Sequence, residues 1–228
     1  MALALEVGYL ADMREHDVEG EAHFRQALAD LNRLLQERGL PLHHEPESCP
    51  IFSCSMFGYS GFHYLQRLAA YLDLKGRLPA PGDADSYKDP ILQEYYRRAR
   101  AKPGFWQKLF NTKPRPRHFD HLLFHSGCEG FYLPQDFAEV MLLPEGPDEW
   151  ARMLGSSQRL QTECEKLAQT LSLDLNLNPE SDEVMGAAAN QGKGKLLWQK
   201  YGVESYTCLQ MHRAALHSIE YGALLVFC

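Results

Sequence analysis

The chain has 228 residues, 45% hydrophobic and 23% charged, a composition that suits one large globular domain or two small ones and excludes a disordered chain. Its formal charge of −7 argues against nucleic-acid or anionic-membrane binding, since both want a basic face. The N-terminus lacks a signal peptide's basic flank and cleavage site, and no apolar run is long enough to span a bilayer. The six cysteines are scattered without CxxC pairs, so a cytoplasmic protein with reduced thiols is expected.

Residues 10–21 (LADMREHDVEGE) gather Asp12, Glu15, Asp17, Glu19 and Glu21 around His16. They read either as a solvated helix start, where acids suit the dipole, or as an acidic surface for a basic partner. Residues 20–38 carry Phe24, Ala27, Leu28, Leu31, Leu34 and Leu35 at helical spacing, and Gly39 with Pro41 ends that helix. Residues 43–55 read as loop and 59–74 as a second helix, closed by Lys75-Gly76. The proline- and aspartate-rich 78–89 stretch is a surface excursion and the only candidate boundary in a chain otherwise read as one domain over 1–228.

Residues 91–101 predict a short helix, and NTKPRPR at 111–117 a basic extended connector within a locally basic run, 102–117. The apolar run Leu122-Leu123-Phe124 makes 118–125 a strand. Ser126 to Gly130 make a turn, and Phe131-Tyr132-Leu133 a second strand, together a β-hairpin near 118–134. Residues 148–171 read as helix, with Gly155-Ser156-Ser157 a point of interruption, and 176–194 as loop. Residues 204–221 read as a long helix and 223–227 as a buried C-terminal strand. The sum is a helix-rich α+β fold with a small mixed or antiparallel sheet.

Chemistry concentrates in RHFDHLLFHSGCEGFYLPQDF, residues 117–137. His118, His121, His125 and Cys128 are zinc-type ligands, yet on a strand His121 and His125 would stand about 13 Å apart, so no metal is expected. Ser126 to Gly130 also has the small-x-nucleophile-x-small form, with Cys128 as nucleophile and His125 or His121 as its base. The following Phe131 to Pro134 denies that cysteine the helix N-terminus that would lower its pKa. Glu129, with Asp120 and Asp136, offers acid–base groups at no defined spacing. The plain alternative makes Cys128 a buried thiol, the glycines turn residues and the histidines a hydrogen-bonded face, with Asp120, Asp136 and Tyr132 as binding candidates. Elsewhere, Gly192-Lys193-Gly194-Lys195 lacks the P-loop spacing and reads as a flexible loop.

The run HLLFHSGCEGFYLPQDF, of the form HSxCEGxYxPxDF, together with LADMREHDVEG and MLGSSQRL, resembles a group of uncharacterised bacterial single-domain proteins. That resemblance implies no reaction, cofactor, partner or residue role. Composition and motifs therefore favour a non-enzymatic interaction protein without cofactor, of the immunity type, masking a protein partner through an acidic surface. The competing reading is a cysteine- or metal-dependent hydrolase or transferase centred on 118–136.

Overall fold

In the computed structural model, which describes residues 3–56, 58–81, 86–100, 117–125, 130–142 and 153–228, short strands and longer helices alternate around one sheet. Strand β1 (Ala4–Val7) leads into α1 (Tyr9–His16) and α2 (Val18–Glu37), followed by β2 (Phe52–Ser55), α3 (Gly58–Lys75) and α4 (Pro90–Arg100). A one-turn helix α5 (Asp120–Phe124) precedes β3 (Gly130–Leu133), β4 (Met141–Leu142), β5 (Met153–Ser156) and α6 (Ser157–Leu171). Helices α7 (Asp182–Ala189), α8 (Leu197–Lys200) and α9 (Gly202–Tyr221) then lead to β6 (Leu225–Phe227).

The six strands run in the order β2-β1-β6-β3-β5-β4, with β3 and β5 parallel and every other pair antiparallel. Period-two alternation sends Leu5, Val7, Tyr132, Leu225 and Phe227 to one face of the sheet, where α3, α6 and α9 cover them. Phe131, Leu133, Leu154 and Val226 go to the other face, where they meet Phe24, Ala27, Leu31, Leu34 and Leu35 of α2. Asp17 starts α2 by accepting from the Gly20 N–H at 2.9 Å. The sheet is thus sandwiched between α1–α2 and a thicker helical layer built on α9, most of whose residues are buried. Among the described residues no helix is long and apolar enough to cross a membrane.

The α+β class and the helices expected around 20–38, 59–74, 91–101 and 204–221 all appear, as does the C-terminal strand. The hairpin near 118–134 does not. Residues 120–124 are helical, and β3 pairs with β5 and β6 instead of with the segment before it. The cause is remote. Glu163 of α6 accepts from the His121 and Leu122 N–H groups at 3.0 and 2.7 Å, capping the start of α5. Gln66 of α3 donates to the carbonyls of Leu122 and His125 at 2.8 and 3.0 Å, closing its end. Both ends of this single turn are satisfied from other helices, so an apolar run that looks extended in isolation coils.

Two expected loops also contain elements, β2 within 43–55 and α7 within 176–194. The helix expected from 148 begins only at Ser157, because Met153–Ser156 is strand β5; residues 143–152 lie outside the described set, as do most of 111–117 and of the 126–130 turn.

Gly130 is where β3 begins, with φ +97, and a Cβ there would lie 2.0 Å from the Met153 carbonyl oxygen. No L side chain fits that backbone or that space. Gly130→Ala is expected to cost about 3 kcal/mol or more. Urea unfolding monitored by circular dichroism checks this, and a loss below about 1 kcal/mol would show that the β3–β5 contact is dispensable.

Candidate functional site

His121 and His125, in and just after α5, are drawn inward. His121 is 2% exposed; its Nδ1 accepts from the Ser156 N–H at 2.9 Å, and its ring meets Phe137 edge-on at 5.6 Å. That acceptor role puts the ring proton on Nε2. His125 is 1% exposed and stacks between Tyr132 at 4.3 Å and Phe227 at 4.8 Å. Burial pushes His121 down to about 4 and His125 down to about 3, so both are neutral imidazoles at pH 7.

Tyr132 is fully buried and donates its hydroxyl proton to the His121 carbonyl at 2.9 Å. Asp120 holds the Tyr95 hydroxyl and the Arg117 guanidinium, and exposed Asp136 pairs with Arg159. His118 faces solvent. Cys128 and Glu129 lie outside the described residues. The described histidines therefore diverge, one outward and two into separate ring contacts, and no three His, Cys, Asp or Glu side chains among the described residues could share a metal ion.

Sequence reading missed Glu163, the carboxyl that organises α5. It sits on the buried stripe of α6 with Leu160, Cys164 and Leu167, and an acid at an apolar position of a helix was its only signal. Burial pushes it up to about 8, although the two N–H groups it accepts from pull the other way. The described cysteines are free thiols. Burial drives Cys54 up to about 12 and Cys228 up to about 11, which leaves both as protonated thiols at neutral pH.

The acidic stretch forms the corner between α1 and α2. Glu15, Asp17 and Glu19 are exposed, and Asp12 and Glu21 are half-buried. Exposed Glu47 joins them from the α2–β2 loop through Arg14 at 3.0 Å and Arg25 at 3.3 Å. Residues 1–50 hold ten acidic and four basic residues, so nearly all of the chain's −7 charge arises there. Between residues 12 and 21 five carboxylates face one arginine, Arg14.

These features define an α+β protein with an exposed acidic helical corner and with His121 and His125 turned into the core. The chain belongs to the family described as "Putative DNA-mimic protein", whose model matches residues 1–227. No curated protein and no solved structure matches it.

Proposed function

We propose that the α1–α2 corner occupies the nucleic-acid site of a DNA-binding protein, presenting carboxylates where that partner expects phosphates. The charge of this corner carries the reading, and the description of the family supports it. Carboxylates on a folded helix pair are held in place before binding, so a basic groove that meets them loses little entropy beyond that of docking. Long-range attraction to such a groove speeds encounter and weakens with salt. The same field repels DNA itself, so the partner is a protein. Burial of His121 and His125 favours this interaction reading over an enzyme centred on 118–136.

The test is capture from a nuclease-treated cell extract on the immobilised protein. The retained proteins should elute with short duplex DNA at constant ionic strength, and much less with polyglutamate of equal charge. The variant Glu15→Gln, Asp17→Ser, Glu19→Gln, Glu21→Gln should weaken retention at least tenfold, the introduced serine hydroxyl preserving the helix cap. Retained proteins indifferent to duplex DNA, or to that variant, would overturn the reading.

A further inference from the structure

Strand β2 ends the sheet, with β1 on one side and no strand on the other among the described residues. The ladder fixes which of its backbone groups point outward. Ala4 exchanges hydrogen bonds with Cys228 at 3.1 and 3.0 Å, so Ala4 and Glu6 serve β6, while Leu3, Leu5 and Val7 serve β2. The Met56 N–H donates to the Leu3 carbonyl at 2.8 Å, in keeping with that alternation. Phe52 and Cys54, opposite Val7 and Leu5, therefore bond to β1, and the backbone groups of Ser53 and Ser55 face away from the sheet. Of these, the Ser55 carbonyl accepts from the Tyr206 hydroxyl at 2.8 Å. The Ser53 N–H, the Ser53 carbonyl and the Ser55 N–H remain as an unextended ladder.

Along this edge lies a groove of about 580 Å³, with Phe52, Cys54 and Met56 on one side and Tyr206, Arg213 and Glu180 on the other. Its size falls in the range of ordinary ligand sites. The exposed Glu180 carboxylate accepts from the Gln210 amide at 3.2 Å. Glu180 is followed by Asp182 and Glu183 in the first turn of α7, and the stretch 172–189 holds no lysine or arginine. Among the described residues of the lining Arg213 is the one cation, with its guanidinium 5.8 Å from the Phe52 ring centre.

We propose that the β2 edge and its groove bind an extended, cationic peptide segment of a partner protein by strand addition. The three outward groups supply main-chain pairing, the Phe52 and Met56 side receives apolar side chains, and the Glu180 rim receives a lysine or arginine. A second copy of this chain fits less well. Two-fold pairing of β2 edges would bring a second α7–α9 layer to the same face and set one acidic rim against another. The acidic α1–α2 corner lies on the opposite face of the sheet, so the proposal does not depend on the DNA-mimic reading.

The probe is a pool of octapeptides alternating lysine or arginine with valine, isoleucine or threonine, against a control pool with glutamate in place of the cations. With the cationic pool, hydrogen exchange at the Ser53 and Ser55 amides should slow, and the control pool should leave it unchanged. Ser53→Pro removes only an outward N–H, a change edge strands tolerate, and should weaken binding at least tenfold. Glu180→Lys, a surface change that leaves the fold intact, should weaken it severalfold, whereas the four-residue corner variant should leave it unchanged. Unaltered exchange at Ser53, or binding insensitive to both Ser53→Pro and Glu180→Lys, overturns the proposal. So does Ser53 protection that rises with protein concentration alone, which would mark a second copy as the occupant.

Discussion

Acidification from pH 6.5 to pH 4 is expected to remove a large part of this protein's stability, through His121 and His125. Both are neutral in the fold, with pKa lowered from 6.5 to about 4 and about 3 by burial. In the unfolded chain they bind protons below about pH 6.5, so that state gains stability as pH falls, and the fold loses it until its own imidazoles protonate. At about 1.4 kcal/mol per pKa unit, the pair accounts for roughly 6 kcal/mol by pH 4, comparable with the whole stability of an ordinary domain. The buried Glu163 carboxyl, raised to about 8, works the other way and returns roughly 3 kcal/mol over the same range, so the histidines win. Coulombic repulsion from His121 also opposes charging His125. Urea midpoints at pH 7, 6, 5 and 4 measure the effect. The double variant His121→Asn, His125→Gln should be weaker at pH 7 and should no longer lose stability below pH 6, the introduced asparagine offering an oxygen to the Ser156 N–H. A variant as acid-sensitive as the parent would place the acid transition on other groups.

The same residues show where sequence reading succeeds. Helices α2, α3 and α9 carry their instructions locally, as apolar stripes such as Phe24-Ala27-Leu31-Leu34-Leu35, and those stripes pack as the spacing requires. The acidic corner was legible for the same reason, since charge density is a local property. The window at 118–134 was not. Its conformation depends on Glu163, more than 40 residues downstream, and on Gln66, more than 50 upstream, and neither advertises its target. Strand β1 and strand β2 were equally hidden, because four residues such as FSCS become a strand only when a neighbour offers the ladder. His121 and His125 are core residues packed against aromatic rings for one reason. A neutral imidazole is flat and carries one donor and one acceptor, and it can fill a core position where backbone groups also need partners.

Glu163 should dominate the alkaline side of the stability curve. Its pKa rises from 4.5 to about 8 in the fold, so between those values the unfolded chain releases a proton that the folded protein keeps. Stability therefore falls as pH climbs from 4.5 to 8 and levels off above, by on the order of 5 kcal/mol at most. Set against the histidines, which act below pH 6.5, this places the stability maximum near pH 6.5. Glu163→Gln keeps one oxygen for the α5 N–H groups and cannot ionise, so its stability should be nearly level from pH 6.5 to 8 and should approach the parent's at the alkaline end. Glu163→Ala, which cannot ionise either, leaves the His121 and Leu122 N–H groups buried without an acceptor and should fall about 3 kcal/mol below Glu163→Gln at every pH, with α5 uncoiling first. Hydrogen exchange at those two amides, followed beside the urea midpoints, separates the outcomes. If Glu163→Ala left both amides as protected as in the parent, α5 would owe its coiling to something other than this carboxyl, and the reason for the lost hairpin would have to be sought elsewhere.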